Sequence, residues 1–229
     1  MPRFLQNNDQ YIVVIAQMTK HILKCATILA ALALSAVPAM ADAYTDLVAR
    51  SEQGDATLDY TALRNAYALA DHYDPYGAQT RPLFDAAWNA FQAKDCTKAV
   101  ASARAMFAIN DVTIPMHFVV SDCLRQAGDT AGADREAAIA RGLAKSLLDS
   151  GDGKSTATAY HVVTLSEEGF VLTMLGFHEE KQALLSDGGH QYDLLEGKDE
   201  KTGEPRSAYF NVDALMAGMA RELSGGKPL

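Results

Sequence analysis

Between residues 84 and 143 the apolar positions recur at helical spacing. Phe84, Ala87, Trp88 and Phe91 make one stripe, and Ala99, Ala103, Met106 and Phe107 a second. Ile114, Phe118, Val119 and Leu124 make a third, and Ala133, Ala137, Ala140 and Leu143 a fourth. Residues three and four apart share a helix face, so each set predicts an amphipathic helix with one buried side. The turn-forming stretches "AKDCTKAV" (93–100) and "AGDTAGAD" (127–134) divide the first stripe from the second and the third from the fourth. In them Asp95 and Asp129 stand where a carboxylate can accept backbone N–H groups of the next helix. The two aspartates are 34 residues apart, the tetratricopeptide period. Two antiparallel helical hairpins follow, tetratricopeptide-like in packing but without that repeat's full consensus.

Ahead of the hairpins, Tyr44 to Arg50 and Tyr60 to Ala70 predict two more helices, the second with Leu63, Ala66, Tyr67 and Ala70 on one face. "DHYDPYGAQTRP" breaks the pattern, because Pro75, Gly77 and Pro82 do not continue a helix. Tyr73 and Tyr76 in this loop pack back on their own domain or offer rings to a ligand. After Asp149 the period changes to alternation. Thr156, Thr158, Tyr160, Val162 and Thr164 predict one face of a strand, and Ala159, His161, Val163 and Leu165 the other. Ser166, Glu167 and Glu168 open a further helix that Gly176 ends. "KQALLS", "QYDLLEG" and "RSAYFNVD", divided by "DGGH" and "KTGE", predict antiparallel strands, and Asp213 to Leu223 a last helix. The predicted class is α+β: helical hairpins followed by a small antiparallel sheet with one or two helices.

The "GDGKS" at 151–155 has the look of a nucleotide-binding loop. That motif needs a glycine where this chain has Leu148, and a strand before the loop with a helix after it. Here the order is helix then strand, so the segment predicts a turn and no ATP site.

The beginning of the chain changes the picture of where it works. Lys20 and Lys24, the apolar run from Cys25 to Val37, and "PAMADA" follow the order of a secretory leader, with Ala39 and Ala41 in the small-x-small cleavage pattern. The expected organisation is a leader over residues 1–41 with its start at Met18, a helical-hairpin region over 42–150, and an α+β region over 151–229 packed on it. Loss of Arg3, Lys20, Lys24 and Asp9 with the leader takes the net charge from −9 to −11. So acidic a chain, without a Lys/Arg cluster, has no footprint for nucleic acid or an anionic membrane surface. The expected location is the periplasm or the exterior, with an envelope protein or peptide as partner.

The stretches "LRNAYALADHYDPYG" (63–77), "GDGKSTATAYHVVTLSEEGFVLTMLG" (151–176), "KQALL" (181–185), "HQYDLLEG" (190–197) and "AYFNVD" (208–213) together resemble an exported bacterial family, domain-of-unknown-function family 4919. "AYFNVD" after "YD" is the most specific part. One departure is Gly169, where the resemblance leads one to expect an aromatic residue. The resemblance implies export and a helical-repeat-like front half, and carries no assigned chemistry.

The candidate binding residues lie in those stretches: Arg64, Tyr73, Tyr76, Glu168, Tyr192, Asp193 and Asn211. Glu167 and Glu168 are adjacent and project apart, which favours a helix-start role over a concerted acid–base pair. His117, on an apolar helix face, predicts a hydrogen-bonded core residue, and His178, Glu179 and His190 lack the spacing of a metal site. No nucleophile elbow occurs, and no cofactor or metal is expected. Three readings of function remain: an interaction or structural module; an envelope hydrolase using carboxylates and tyrosines in a cleft between the helices and the sheet, which convergence of Glu168, Asp193 and His161 would favour; and, last, a metal-binding protein. Cys96 and Cys123, the cysteines left after cleavage, stand toward one end of the predicted hairpin and form a disulfide or remain two buried thiols.

Overall fold

The computed structural model of the protein describes residues 37–225, and residues from Pro38 onward form one compact unit. The leader expected over residues 1–41 lies outside the described residues except for its last five, which begin the first helix. That helix, α1 (Val37–Glu52), is longer than the predicted Tyr44 to Arg50. Asp59 caps α2 (Tyr60–Tyr67) by accepting from the N–H groups of Thr61 and Ala62. This helix stops three residues short of the predicted Ala70, where the chain turns into the Tyr73–Pro75 loop.

α3 (Arg81–Gln92) starts with a proline in its first turn, where the missing N–H costs nothing. α4 (Cys96–Phe107), α5 (Ile114–Gln126) and α6 (Thr130–Leu148) follow. The two predicted caps are present: Asp95 accepts from the Lys98 N–H at 3.0 Å and Asp129 from the Gly132 N–H at 2.9 Å. Turns of three residues join α3 to α4 and α5 to α6, and each pair packs together. Cys96 and Cys123 are bonded, with their Cα atoms 5.2 Å apart.

The strand predicted from Thr156 to Leu165 is reduced to β1 (Tyr160–His161). The residues before it satisfy their backbone groups locally: the N–H groups of Asp152 and Gly153 both donate to the Thr158 carbonyl, at 2.9 and 2.8 Å, and Thr156–Thr158 forms a single 3-10 turn. The "GDG" segment is therefore a turn, with Gly153 at a φ of 66°. α7 (Leu165–Leu175) ends at Gly176, whose φ of 61° is the left-handed cap position that glycine fills without strain.

β2 (Phe177–Asp187), β3 (His190–Asp199) and β4 (Pro205–Asn211) complete the sheet, and α8 (Asp213–Leu223) closes the chain. The order is β1-β4-β3-β2, antiparallel except for β1 with β4. Gly188 and Gly189, both at positive φ, make the two-residue turn between β2 and β3. The register sets Asp193 between Leu184 and Phe210, and Leu195 between Gln182 and Ala208, on one face. That face carries the buried Leu195, Ala208 and Phe210.

Two apolar clusters hold the fold. One joins Leu63 and Tyr67 of α2 and Leu143 and Leu147 of α6 to the sheet, α7 and α8. The other is made by α3, α4 and α5 around Ala87, Ala103, Met106 and Met116. The observed architecture is α+β, with several helices followed by a small antiparallel sheet. Among the described residues no helix is long and apolar enough to cross a membrane.

Candidate functional site

The junction of α2, α7 and the sheet collects buried charge. Arg64 points from α2 at Glu167 in the first turn of α7 and binds it through two parallel contacts, Nε to Oε1 at 2.7 Å and Nη2 to Oε2 at 2.9 Å. Arg64 also donates to the His161 carbonyl at 2.5 Å and to Ser146 Oγ at 3.2 Å. Glu167 Oε2 accepts from the Val163 N–H at 2.7 Å, while the Tyr73 hydroxyl donates to the Val163 carbonyl at 2.5 Å. The guanidinium and carboxylate, 3% and 2% exposed, fix α7 to α2 across the sheet's edge. Burial raises the Tyr73 hydroxyl far above the ordinary range, so it acts as a neutral donor.

Glu168, one residue on, points into a second group. Its neighbours are Asp193 on β3 and Glu179 on β2, and Glu168 and Asp193 are only 4% and 8% exposed. Burial, then the charges of Asp193, Glu179 and Glu167, push Glu168 well above the usual carboxylate range. Burial raises Asp193 to about 6, against the pull of a 2.6 Å hydrogen bond from the Gln182 amide. Burial and Asp193 also raise Glu179. Glu168 Oε1 is buried with no hydrogen-bond partner among the described residues, a condition that costs roughly 1–3 kcal/mol. Tyr76 borders the group: burial, then Asp193 and Glu168, raise its hydroxyl to about 12, while the residue as a whole stays 38% exposed.

The candidate residues therefore divide three ways. Arg64 and Tyr73 belong to the ion-paired junction, and Glu168, Asp193 and Tyr76 to the acid group. Tyr192 and Asn211 are cross-strand partners on the opposite face of the sheet from Asp193. Asn211 builds the start of α8, accepting from the Asp213 N–H at 3.1 Å and donating to its carboxylate at 3.2 Å. The helix-start role expected for the Glu167–Glu168 pair is too simple: both side chains turn inward, Glu167 to Arg64 and Glu168 to Asp193. His161 does not join them, since its side chain is exposed and only its carbonyl reaches the junction. A cavity of about 210 Å³ lies farther along the strands, lined by Glu180, Lys181, Glu196, Gly197, Lys198, Pro205 and Arg206.

Sequence reasoning missed Glu167 as a partner, because nothing local marks a pair 103 residues apart. It weighed Glu179 only as a metal ligand, and it missed Gln182. Simple alternation along "HEEKQALL" puts these two on opposite faces, and only the bulge between Glu179 and Lys181 brings them to one face. His117 is a core residue as expected, held between Glu136 (2.8 Å) and the Asp111 carbonyl (2.7 Å) and stacked on Phe107. Among the described residues no group of three or more His, Cys, Asp or Glu side chains has the geometry of a metal site.

The fold and the buried acid group define an α+β domain of helices capped by a four-stranded sheet. The family described as domain of unknown function DUF4919 matches over residues 38–221, and the chain belongs to that family. No curated protein and no solved structure gives a significant match.

Proposed function

We propose that this chain is an exported interaction module of the bacterial envelope that adds an extended segment of a partner protein to the free edge of β2. The observation that carries the reading is the strand itself. β2 has 11 residues, lies at the end of the sheet order, and pairs with β3 alone among the described residues. An unpaired edge of that length is a template for another strand, and proteins generally shorten, cover or charge such edges. Here Ala183 and Leu184 are exposed apolar residues in its middle, with Glu179, Glu180 and Lys181 before them, Glu180 paired with Lys198, and Asp187 after. The fitting partner is an apolar extended segment flanked by basic residues.

Export rests on the leader pattern, with the mature chain starting at Asp42 and acting in the periplasm or outside the cell. The Cys96–Cys123 bond accords with an oxidising compartment. In this reading residues 42–150 form the tetratricopeptide-like helical-hairpin region, and residues 151–229 the α+β region that carries the binding strand.

The test uses acetylated nine-residue peptides of alternating valine and threonine with a central lysine, titrated into the mature protein by calorimetry and followed by amide exchange. Binding should protect β2 and should vanish when alternate peptide nitrogens are methylated. Binding that survives methylation refutes strand addition.

The meeting of Glu168 and Asp193 favours a second reading, an envelope hydrolase with Glu168 as acid and Asp193 as base. The burial of both groups counts against it. Chromogenic ester, glycoside and peptide substrates decide: turnover abolished by Glu168→Gln supports the enzyme, and no turnover by the parent chain rejects it.

A further inference from the structure

We propose that the carboxyl group of Glu168, Asp193 and Glu179 behind β2 is a specificity subsite that takes the amino or guanidino head of one lysine or arginine on the docked strand. This inference rests on the strand-addition reading of β2.

Four observations converge. Asp193 lies on the face of the sheet that Gln182 and Leu184 share, so side chains of an added strand pointing to that face run toward it. The Asp193 carboxylate already reaches toward the edge, where it accepts from the Gln182 amide at 2.6 Å. A neutral amide thus occupies the direction from which a cation would come. The group holds three acids on two strands and a helix, and among the described residues no lysine or arginine forms an ion pair with any of them. Glu168 Oε1, buried and without a partner, supplies an acceptor that nothing in the domain uses.

The other two buried glutamates are paired with basic side chains. Glu167 has Arg64, and Glu136 has His117 and Arg104. The acid group behind β2 has no such partner among the described residues. A long cationic side chain lying flat along the sheet passes Glu179 first, displaces the Gln182 amide, and meets Asp193 with Glu168 beyond it. Its positive charge favours the ionised acids, so a proton leaves the Glu168–Asp193 pair for the solvent as the cation arrives. Tyr76, whose hydroxyl donates to the Leu215 carbonyl at 3.4 Å, borders the group.

The test compares four peptides of alternating valine and threonine that differ at the centre: lysine, arginine, norleucine and glutamate. Lysine and arginine should bind at least ten-fold tighter than norleucine, with glutamate weakest. Calorimetry in buffers of different ionisation enthalpy should show proton release for lysine and none for norleucine. Asp193→Asn and, at the half-buried position, Glu179→Gln should each reduce the lysine preference while norleucine binding and β2 protection persist. Equal binding of lysine and norleucine, or a preference unchanged in both variants, overturns the subsite and leaves strand addition standing. Failure of every peptide to protect β2 overturns both.

Discussion

Replacing Arg64 with methionine removes the cation that neutralises Glu167 while keeping much of the apolar stem. Both side chains are almost wholly buried, so among the described residues the Glu167 carboxylate is left with the Val163 N–H as its donor. The His161 carbonyl and Ser146 also lose a donor. Breaking one partner of a buried pair costs roughly 3–5 kcal/mol, a large share of the 5–15 kcal/mol that holds a typical domain. Urea unfolding should therefore show a loss of about 4 kcal/mol for Arg64→Met. A double variant, Arg64→Met with Glu167→Leu, should recover at least about half of that loss, because the stranded charge is gone. Trp88 belongs to the α3–α5 cluster, away from this junction, and its fluorescence should shift in step with far-UV circular dichroism if the two clusters unfold together. A loss under about 1 kcal/mol for the single variant, or a double variant no better than the single, refutes the account of Arg64 as the counter-charge that fixes α7 to α2.

The Cys96–Cys123 bond closes a separation of 27 residues, so Cys123→Ala should cost about 3.5 kcal/mol by chain entropy; thiol titration of the unreduced, denatured mature protein should find no free thiol, and two would contradict the bond. Stability should fall as pH rises from about 4 to 7. Asp193 is raised from 3.8 to about 6 and Asp111, chiefly by burial, to about 7, so the folded state keeps protons that the unfolded chain has already released. The Asp193 share is ~3 kcal/mol, and denaturation of Asp193→Asn at pH 5 and pH 7.5 should show a flatter dependence; an unchanged slope refutes the assignment. His117 adds to the same trend: burial lowers it, but Glu136 and Asp111 outweigh that and hold it above its ordinary value, so its contribution is lost as pH rises through the folded value. N-terminal sequencing of the exported form should begin at Asp42, and retention of Cys25 would sink that expectation.

The sequence alone determined the elements whose signal is local. The stripes around Trp88, Met106 and Val119 state a 3.6-residue period within a few turns, and Asp95 and Asp129 cap the helices that follow them because a cap involves only the next three residues. The two-glycine turn at 188–189 fixes the β2–β3 hairpin in the same way. The Thr156 to Leu165 strand failed because alternation does not reveal where backbone groups go. The Thr158 carbonyl was taken by the N–H groups of Asp152 and Gly153, which left two residues to pair with β4.

For the site, the sequence marked the right residue types and not their grouping. Arg64, Glu168 and Asp193 were legible as candidates, yet nothing near Arg64 in the chain names Glu167. Only tertiary structure brings α7 over the sheet, sends adjacent glutamates to a guanidinium and to another carboxyl, and decides that Asp193 faces inward while Tyr192 faces the other way. The physical reason is range. Helix period, caps and turns act over a few residues, whereas charge pairing and burial are fixed by distance in space, which the chain settles only when its elements pack.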